Sequence, residues 1–485
     1  MEIVLLALLA VAAVVLALWM VLAGSSSIEG YEGNVVSSFN LLLGGGELYP
    51  DPTHFPIAAT QYSPLQYQIV VGLAHLFGIE AGSARALYLL GRAVSTLCLV
   101  VTALLLAAEV WRRRRDWLLT GAMAAAVVAY TLPWSVVVRA DAGSSLFGFV
   151  ALLLYVRYAP GVGTLIAIVL ALTVSVLFKQ SGVVFVGCIF LHQLVERRFA
   201  SAAAVAIGPV IVLVAYMLAF RGQFGDDAIL QLVANVSNGI DLKDSFFERF
   251  LVGSLKSHAP IIAAGLAIMA LDTWRLGMRP KAWLRAIRRQ PMGLWLFVLF
   301  GYAMVTGLKR GSAPNYLDDW LLLVSLVVLL RIRKWRFGLS AALVATGISL
   351  AIVGWQMRSA LLTDELGPAA DVAAQLRAQF PGMTTLLDFD WHPALATEFS
   401  GAIDLDPDVV YSRTWPARIT PDVTYANLPS GLHLVIGITN RDPASILTDP
   451  LLHNGRTFDR TGPLSRFCPK GELVMCFTAA PYVLR

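Results

Sequence analysis

The chain has 485 residues, 57% of them hydrophobic and 14% charged. A soluble domain carries about 25% charged residues, so this composition, with a mean hydropathy of +0.68, excludes one and defines an integral membrane protein. The net charge of +5 is read loop by loop, because local Lys/Arg excess orients membrane helices. No RNA-binding motif or zinc-knuckle spacing accompanies it, so no nucleic-acid partner is expected.

The first segment, MEIVLLALLAVAAVVLALWMVLAG, lacks a basic start. Its apolar run of roughly 20 residues exceeds a signal-peptide core, so it is expected to be a retained span. A spanning helix needs about 20 apolar residues. About eleven spans are expected, near 3–23, 84–110, 117–138, 142–157, 162–178, 182–195, 200–220, 258–273, 291–308, 317–331 and 338–357. Arg112 to Arg115 belong on the cytoplasmic side. If the first span runs outward, only the crossing at 84–110 separates its loop from that cluster. The run 65–78 then lies in the interface or dips in and returns, as its length of about 14 residues suggests.

The later loops alternate in charge. Arg157, Arg197/Arg198, the stretch 274–290 and Arg331/Arg333/Lys334/Arg336 fall on the cytoplasmic side. Glu29 to Asp51, Asp141, Asp226/Asp227, Asp241/Asp244/Glu248 and Asp318/Asp319 fall outside. Beyond residue 358 the chain turns polar. A helix over Pro368–Phe380, then the short apolar runs TTLLDF, DVVYS, LHLVIGIT and ELVMCFTA, predict a small α+β domain of about 125 residues. The expected fold is therefore an all-α polytopic membrane bundle, residues 1–357 with a first outer loop at 24–83, and a C-terminal α+β extramembrane domain, residues 358–485.

Cys98 and Cys188 lie in apolar runs and read as packed thiols. Cys468 and Cys476 flank the turn residues Pro469, Lys470 and Gly471. They form a hairpin disulfide if that end meets an oxidising compartment, and remain two free thiols otherwise.

The chemistry-bearing residues gather on the outer side. Glu32 follows the first span, with Glu29 competing for the same role, and Asp141 opens another span. A carboxylate at a lipid–water boundary can act as a base near neutral pH, although an acid at a helix start can equally be a cap. Arg85 and Arg92 share one face of the second span, with Arg92 about 10 Å deeper. A buried arginine needs a partner. Lys179-Gln180, Lys309-Arg310 and Asn315-Tyr316 add outer-side polar groups, and cations of this kind hold phosphate oxygens. His54 and Tyr62 lie in the first loop and are taken as further substrate contacts. His54, His75 and His258 lack metal-ligand spacing. No P-loop, nucleophile elbow or HExxH is present.

These residues occur in an ordered set. It runs Tyr31-Glu32-Gly33, then Gly45-Gly46-Glu47-Leu48-Tyr49 with Asp51, then Tyr62-Ser63-Pro64-Leu65-Gln66-Tyr67 before Phe77-Gly78. Ala84-Arg85-Ala86-Leu87, Arg139-Ala140-Asp141, Phe178-Lys179-Gln180-Ser181-Gly182 and Lys309 to Tyr316 follow. Over roughly residues 1–320 the set resembles the GT-C superfamily of polytopic glycosyltransferases, in particular the bacterial aminoarabinose transferase and protein mannosyltransferase type. The resemblance implies a polyprenyl-phosphate-linked sugar as donor, a cell-envelope acceptor and a membrane-lipid environment. It implies Glu32 as the catalytic acid of the first outer loop and the 65–78 run as a juxtamembrane helix. Arg85, Arg92, Lys179 and Lys309 then stabilise the leaving phosphate, and direct displacement inverts the anomeric centre. No Asp-x-Asp pair occurs in the first loop, which leaves a divalent cation open, with Glu29, Glu32 and Asp141 as its candidate ligands. A lipid-linked sugar flippase needs similar cations. It is expected to show inverted repeats and interrupted mid-membrane helices, which the sequence does not display. Composition and the lack of eukaryotic targeting signals suggest a bacterial inner membrane, with the N-terminus cytoplasmic and the C-terminal domain periplasmic.

Overall fold

The computed structural model describes residues 2–25, 32–50, 60, 62–159, 161–225, 228–234, 240–277, 280–309, 311–331, 336–381, 386–388, 395, 398–399, 403–404, 433–439, 458–468 and 477–484. Seventeen α-helices run in chain order among them. They are α1 (Glu2–Leu22), α2 (Glu32–Leu43), α3 (Leu65–Leu76), α4 (Ala84–Arg114), α5 (Trp117–Ser135), α6 (Asp141–Arg157), α7 (Val162–Phe178), α8 (Val183–Val195) and α9 (Phe199–Ala219). There follow α10 (Arg221–Phe224), α11 (Ala228–Ala234), α12 (Gly253–Leu276), α13 (Pro280–Arg289), α14 (Pro291–Gly307), α15 (Asp318–Arg331), α16 (Arg336–Leu362) and α17 (Leu366–Gln379). Each of the eleven expected apolar segments is helical. Among the described residues six helices are long and apolar enough to cross a membrane, seven if the bent pair Lys281–Arg289 and Pro291–Gly307 counts as one. Helices of 17 residues such as α6 and α7 reach only about 25 Å, near the bilayer-core thickness of about 30 Å. At 12 residues, α3 is too short to span.

The chain forms two compact units: residues 1–21, 93–218 and 239–358, and residues 22–92, 219–238 and 359–485. The first is helical. On α1 the buried residues Leu6, Leu9, Ala13 and Met20 make one stripe, at helical spacing. Ile3, Val4, Leu8, Val11, Val14 and Leu18 are exposed, as lipid-facing side chains are. Glycines let α1 approach its neighbours. Leu6 packs over Gly121 of α5, and Leu9 and Leu16 over Gly347 and Gly354 of α16, the small-residue contact usual in membrane bundles. Helices α6 and α7 pack most intimately. A Cβ on Gly143 would meet the Phe178 ring at 2.2 Å and one on Gly148 the Phe185 ring of α8 at 2.2 Å. Ser175 Oγ donates to the Ser144 carbonyl at 2.7 Å. A π-helical stretch, Leu242–Val252, feeds α12, which kinks at His258 (φ −135°, ψ 18°). Pro260 explains the kink, since it lacks an N–H and its ring crowds the preceding turn.

The second unit holds α2, α3, α10, α11, α17 and a six-stranded sheet. Its first loop is tied down by backbone: Leu48 N donates to Gln223 O at 2.8 Å and Tyr49 N to Phe224 O at 3.1 Å. Gly225 (φ +73°) is required there, because a Cβ would sit 2.5 Å from Glu47 Oε2 and 2.6 Å from the Tyr49 carbonyl. The strands are β1 (Leu386–Asp388), β2 (Ile403–Asp404), β3 (His433–Thr439), β4 (Phe458–Arg460), β5 (Ser465–Phe467) and β6 (Phe477–Leu484). Their order is β2-β1-β3-β6-β4, with β5 also on β6. The β2–β1 and β1–β3 pairs are parallel and the pairs of β6 antiparallel. Val372, Ala373 and Leu376 of α17 close a core with Leu395, Phe399, Phe467 and Ala479. Thus α17 and β3 fall where the apolar pattern predicts. The segment DVVYS lies outside the described residues. Cys468 is disulfide-bonded, Cys98 and Cys188 are free and buried, and Cys476 lies outside the described residues.

Candidate functional site

In the first unit the site is built around Asp141. Helix α5 ends after Pro133 and Ser135, and residues 136–140 form a buried non-helical bend. Arg139 N donates to Val137 O at 2.7 Å, and Ser95 Oγ donates to the Arg139 carbonyl at 3.1 Å. This bend puts Arg139 beside Asp141: Nε reaches Oδ2 at 3.1 Å, and the guanidinium lies 4.9 Å from the Trp134 ring centre. Helix α7 stops at Phe178 because Lys179 is extended (φ −151°, ψ 137°). Its Nζ then reaches Asp141 Oδ1 at 2.5 Å and lies 5.5 Å from the Tyr316 ring centre. Asn315 Nδ2 donates to the same Oδ1 at 2.6 Å. Asp141, Lys179, Asn315 and Tyr316, four separate candidates along the sequence, are therefore one cluster. Arg139, part of the Arg139-Ala140-Asp141 motif, joins this cluster as a partner that the sequence alone does not single out.

The acids that open α15 extend this cluster. Ser145 Oγ of α6 donates to Asp319 Oδ1 at 2.5 Å. Asp318 is buried, and neither of its carboxylate oxygens has a hydrogen-bond partner among the described residues. The Asn315 side-chain oxygen is likewise unpartnered. Unfilled buried acceptors are costly, and these oxygens can receive donors from a ligand. Sequence reasoning placed Asp318 and Asp319 in an outer loop without a role. The available signal was two consecutive acids opening an otherwise apolar helix. Lys309 lies in the preceding connection, where Ile240 and Lys309 form a β-bridge. Burial, then the charge of Lys179, pulls Lys309 down to about 8. Burial also lowers Lys179 below the ordinary lysine range, against the opposing pull of Asp141. Gln180 is half-buried in the short turn between α7 and α8.

In the second unit Glu32 opens α2 and Arg92 lies on α4. Both side chains are wholly buried. Arg92 Nε and Nη2 donate to Glu32 Oε1 and Oε2 at 3.0 and 2.9 Å. Its Nη1 donates to the Ala23 carbonyl at 2.7 Å and Nη2 also to the Ser25 carbonyl at 2.8 Å. The Tyr88 ring centre is 5.3 Å from the guanidinium. The partner a buried arginine requires is thus Glu32. Arg85, seven residues earlier, is exposed. Tyr62 is buried: its carbonyl accepts from Tyr49 Oη at 2.7 Å and its N–H donates to Tyr67 Oη at 3.4 Å. Glu29 and His54 lie outside the described residues.

Neither carboxylate is arranged as a cation ligand. The oxygens of Asp141 face Lys179, Arg139 and Asn315, and those of Glu32 face Arg92. Among the described residues no group of three or more His, Cys, Asp or Glu side chains converges.

The fold is that of the GT-C polytopic glycosyltransferases. It is similar to ArnT from Cupriavidus metallidurans in the apo state, with a TM-score of 0.60, and bound to undecaprenyl phosphate, with 0.58. Each likeness is at 14% identity over 98% of this chain and 97% of that one. It is also similar to the apo oligosaccharyltransferase of Archaeoglobus fulgidus, with a TM-score of 0.54 and 11% identity over 82% of this chain and 64% of that one. No protein-family profile matches the chain, and no curated protein matches its sequence. At these identities the likeness establishes the fold and leaves the chemistry to the chain's own residues.

Proposed function

We propose that the protein is a membrane glycosyltransferase that moves a sugar from a polyprenyl-phosphate donor to a cell-envelope acceptor: a lipid, a polysaccharide or a protein. The acceptor oxygen attacks the anomeric carbon, the bond from that carbon to the phosphate oxygen breaks, and polyprenyl phosphate leaves with both electrons, inverting the centre. The acceptor's proton passes to a carboxylate. The observation that carries this reading is the cluster of Lys179, Arg139 and Asp141 with unfilled acceptors on Asp318 and Asn315. Fixed cations suit a leaving phosphate, which needs positive charge more than a proton. The acceptors suit a hydroxyl-rich substrate. The ArnT structure with undecaprenyl phosphate supports the donor class.

Glu32 is the proposed base. Arg92 donates to both of its oxygens, which fixes the rotamer of the carboxylate. Asp141 positions Lys179 and Arg139. Eleven crossings, a cytoplasmic N-terminus and a periplasmic domain at 358–485 complete the proposal, in a bacterial inner membrane. The test is mass spectrometry of envelope glycans and glycolipids in a deletion strain, complemented with wild type, Lys179→Met or Glu32→Gln. One sugar is expected to vanish on deletion and to return only with wild type. An unchanged envelope overturns the function, and restoration by Glu32→Gln overturns the base.

A further inference from the structure

A cavity of about 800 Å³ lies in the first unit among the ends of α6, α8 and α15 and the starts of α7, α9 and α14. It is at the arginine-rich end of these helices, opposite Asp141, Lys179 and Asn315 at the other ends of α6, α7 and α15. We propose that this cavity binds the headgroup of an anionic lipid: a phosphate ester that also carries free hydroxyls.

Three observations carry the assignment. The first is charge. Of the six arginines lining the cavity, Arg113 is matched by Glu109 and Arg331 by Asp272, Arg198 faces Glu196 at 3.8 Å, and Arg114 Nη1 donates to the Leu330 carbonyl at 2.8 Å. Arg288 and Arg289 have no ion-pair partner among the described residues, and Arg288 Nε only donates to the Val195 carbonyl at 3.2 Å. Two uncompensated guanidiniums, adjacent on α13, fit a phosphate.

The second observation is the cavity's polar floor. Gln193 is 4% exposed, and its side-chain oxygen is buried with no hydrogen-bond partner among the described residues. That oxygen calls for an O–H or N–H donor, which an ionised phosphodiester lacks and a glycerol-type hydroxyl supplies. The neighbouring polar groups are already occupied. Tyr155 Oη bonds His192 Nδ1 at 2.6 Å, and His192 Nε2 meets the Ile287 carbonyl at 3.1 Å.

The third is location. Helix α13 is basic, carries Trp283 and Leu284, and meets α14 at 101°. A basic amphipathic helix set across a span lies in the headgroup layer. Leu165, Ile168 and Val327 on the cavity wall offer an apolar surface for the adjoining acyl chains.

The test uses the full-length protein in neutral detergent. Native mass spectrometry and thermal unfolding are followed with phosphatidylglycerol, phosphatidylcholine or glycerol 1-phosphate as the probe. Phosphatidylglycerol is expected to bind and to raise the unfolding midpoint, and phosphatidylcholine to do neither. The double variant Arg288→Gln/Arg289→Gln, at exposed positions, should bind phosphatidylglycerol roughly tenfold or more weakly, the loss expected when charged hydrogen bonds are removed. Competition by millimolar glycerol 1-phosphate assigns the site to any soluble phosphate ester of this chemistry, and no competition assigns it to a membrane lipid. Equal binding of the two lipids, or undiminished phosphatidylglycerol binding by the double variant, overturns the proposal. Neither readout involves sugar transfer, so this result is independent of the proposed activity.

Discussion

Two carboxylate–cation groups in this protein are built on opposite principles. Around Glu32 the pair is closed: every nitrogen of Arg92 donates, to Glu32 or to a backbone carbonyl, and neither side chain meets solvent. Around Asp141 the group is open. Three donors converge on one carboxylate, while Asp318 and the side-chain oxygen of Asn315, itself one of those donors, keep unfilled acceptors among the described residues. A closed buried pair fixes geometry, since losing either member strands a charge. An open cluster keeps part of its bonding capacity for something that arrives.

The largest effect is expected from opening the closed pair. Arg92→Leu leaves Glu32 buried and uncompensated and should cost about 3–5 kcal/mol, read as loss of monodisperse protein or a large fall in the unfolding midpoint. Glu32→Leu/Arg92→Leu should recover most of that loss, because the penalty belongs to the stranded charge. If Arg92→Leu melts like wild type, the pair is not the closed unit described.

The open cluster should respond in activity rather than stability. Lys179→Met is expected to lower sugar transfer by about 10²–10³-fold, the usual loss when one electrostatic stabiliser is removed, with the unfolding midpoint nearly kept because Arg139 and Asn315 still hold Asp141. A midpoint that collapses along with activity would make Lys179 another closed partner.

Lys309 gives a pH test. It sits near 8, so it is charged below that pH and neutral above it. If its charge helps the leaving phosphate, transfer falls as pH rises through about 8, and about tenfold of the charged form is lost per further unit. Lys309→Arg, which stays protonated, should flatten the alkaline limb, and an unchanged pH profile in that variant removes Lys309 from the chemistry.

The smallest expected change is at Asp318. Asp318→Asn removes a carboxylate that has no hydrogen-bond partner among the described residues, so stability should hold or rise by about 1 kcal/mol, while transfer declines. A marked fall in stability would place Asp318 with the closed group.

The helices were legible because their signal is local. Expected 142–157 became Asp141–Arg157 and expected 162–178 became Val162–Phe178, since apolar runs bounded by Gly, Pro and charge state their own ends. Lys179 was legible as a candidate because it interrupts two such runs. Its partnership with Asp141 was not, because the two are 38 residues apart in sequence. That pairing exists only because Gly143 admits the Phe178 ring and lets α6 and α7 close on each other. Arg92 announced that it needed a partner but not which one. Asp318 looked like an exposed loop acid until α15 was packed.

Hydropathy and the charge alternation of the loops determined that this is a polytopic membrane protein, which stretches are helical, and which residues are worth suspecting. Those properties belong to each segment and survive without its neighbours. Which acid holds which cation, which acceptor is left unfilled and which arginines ring a cavity were decided only by tertiary structure. Each is a contact between distant segments, and its energy arises only when packing removes both groups from water.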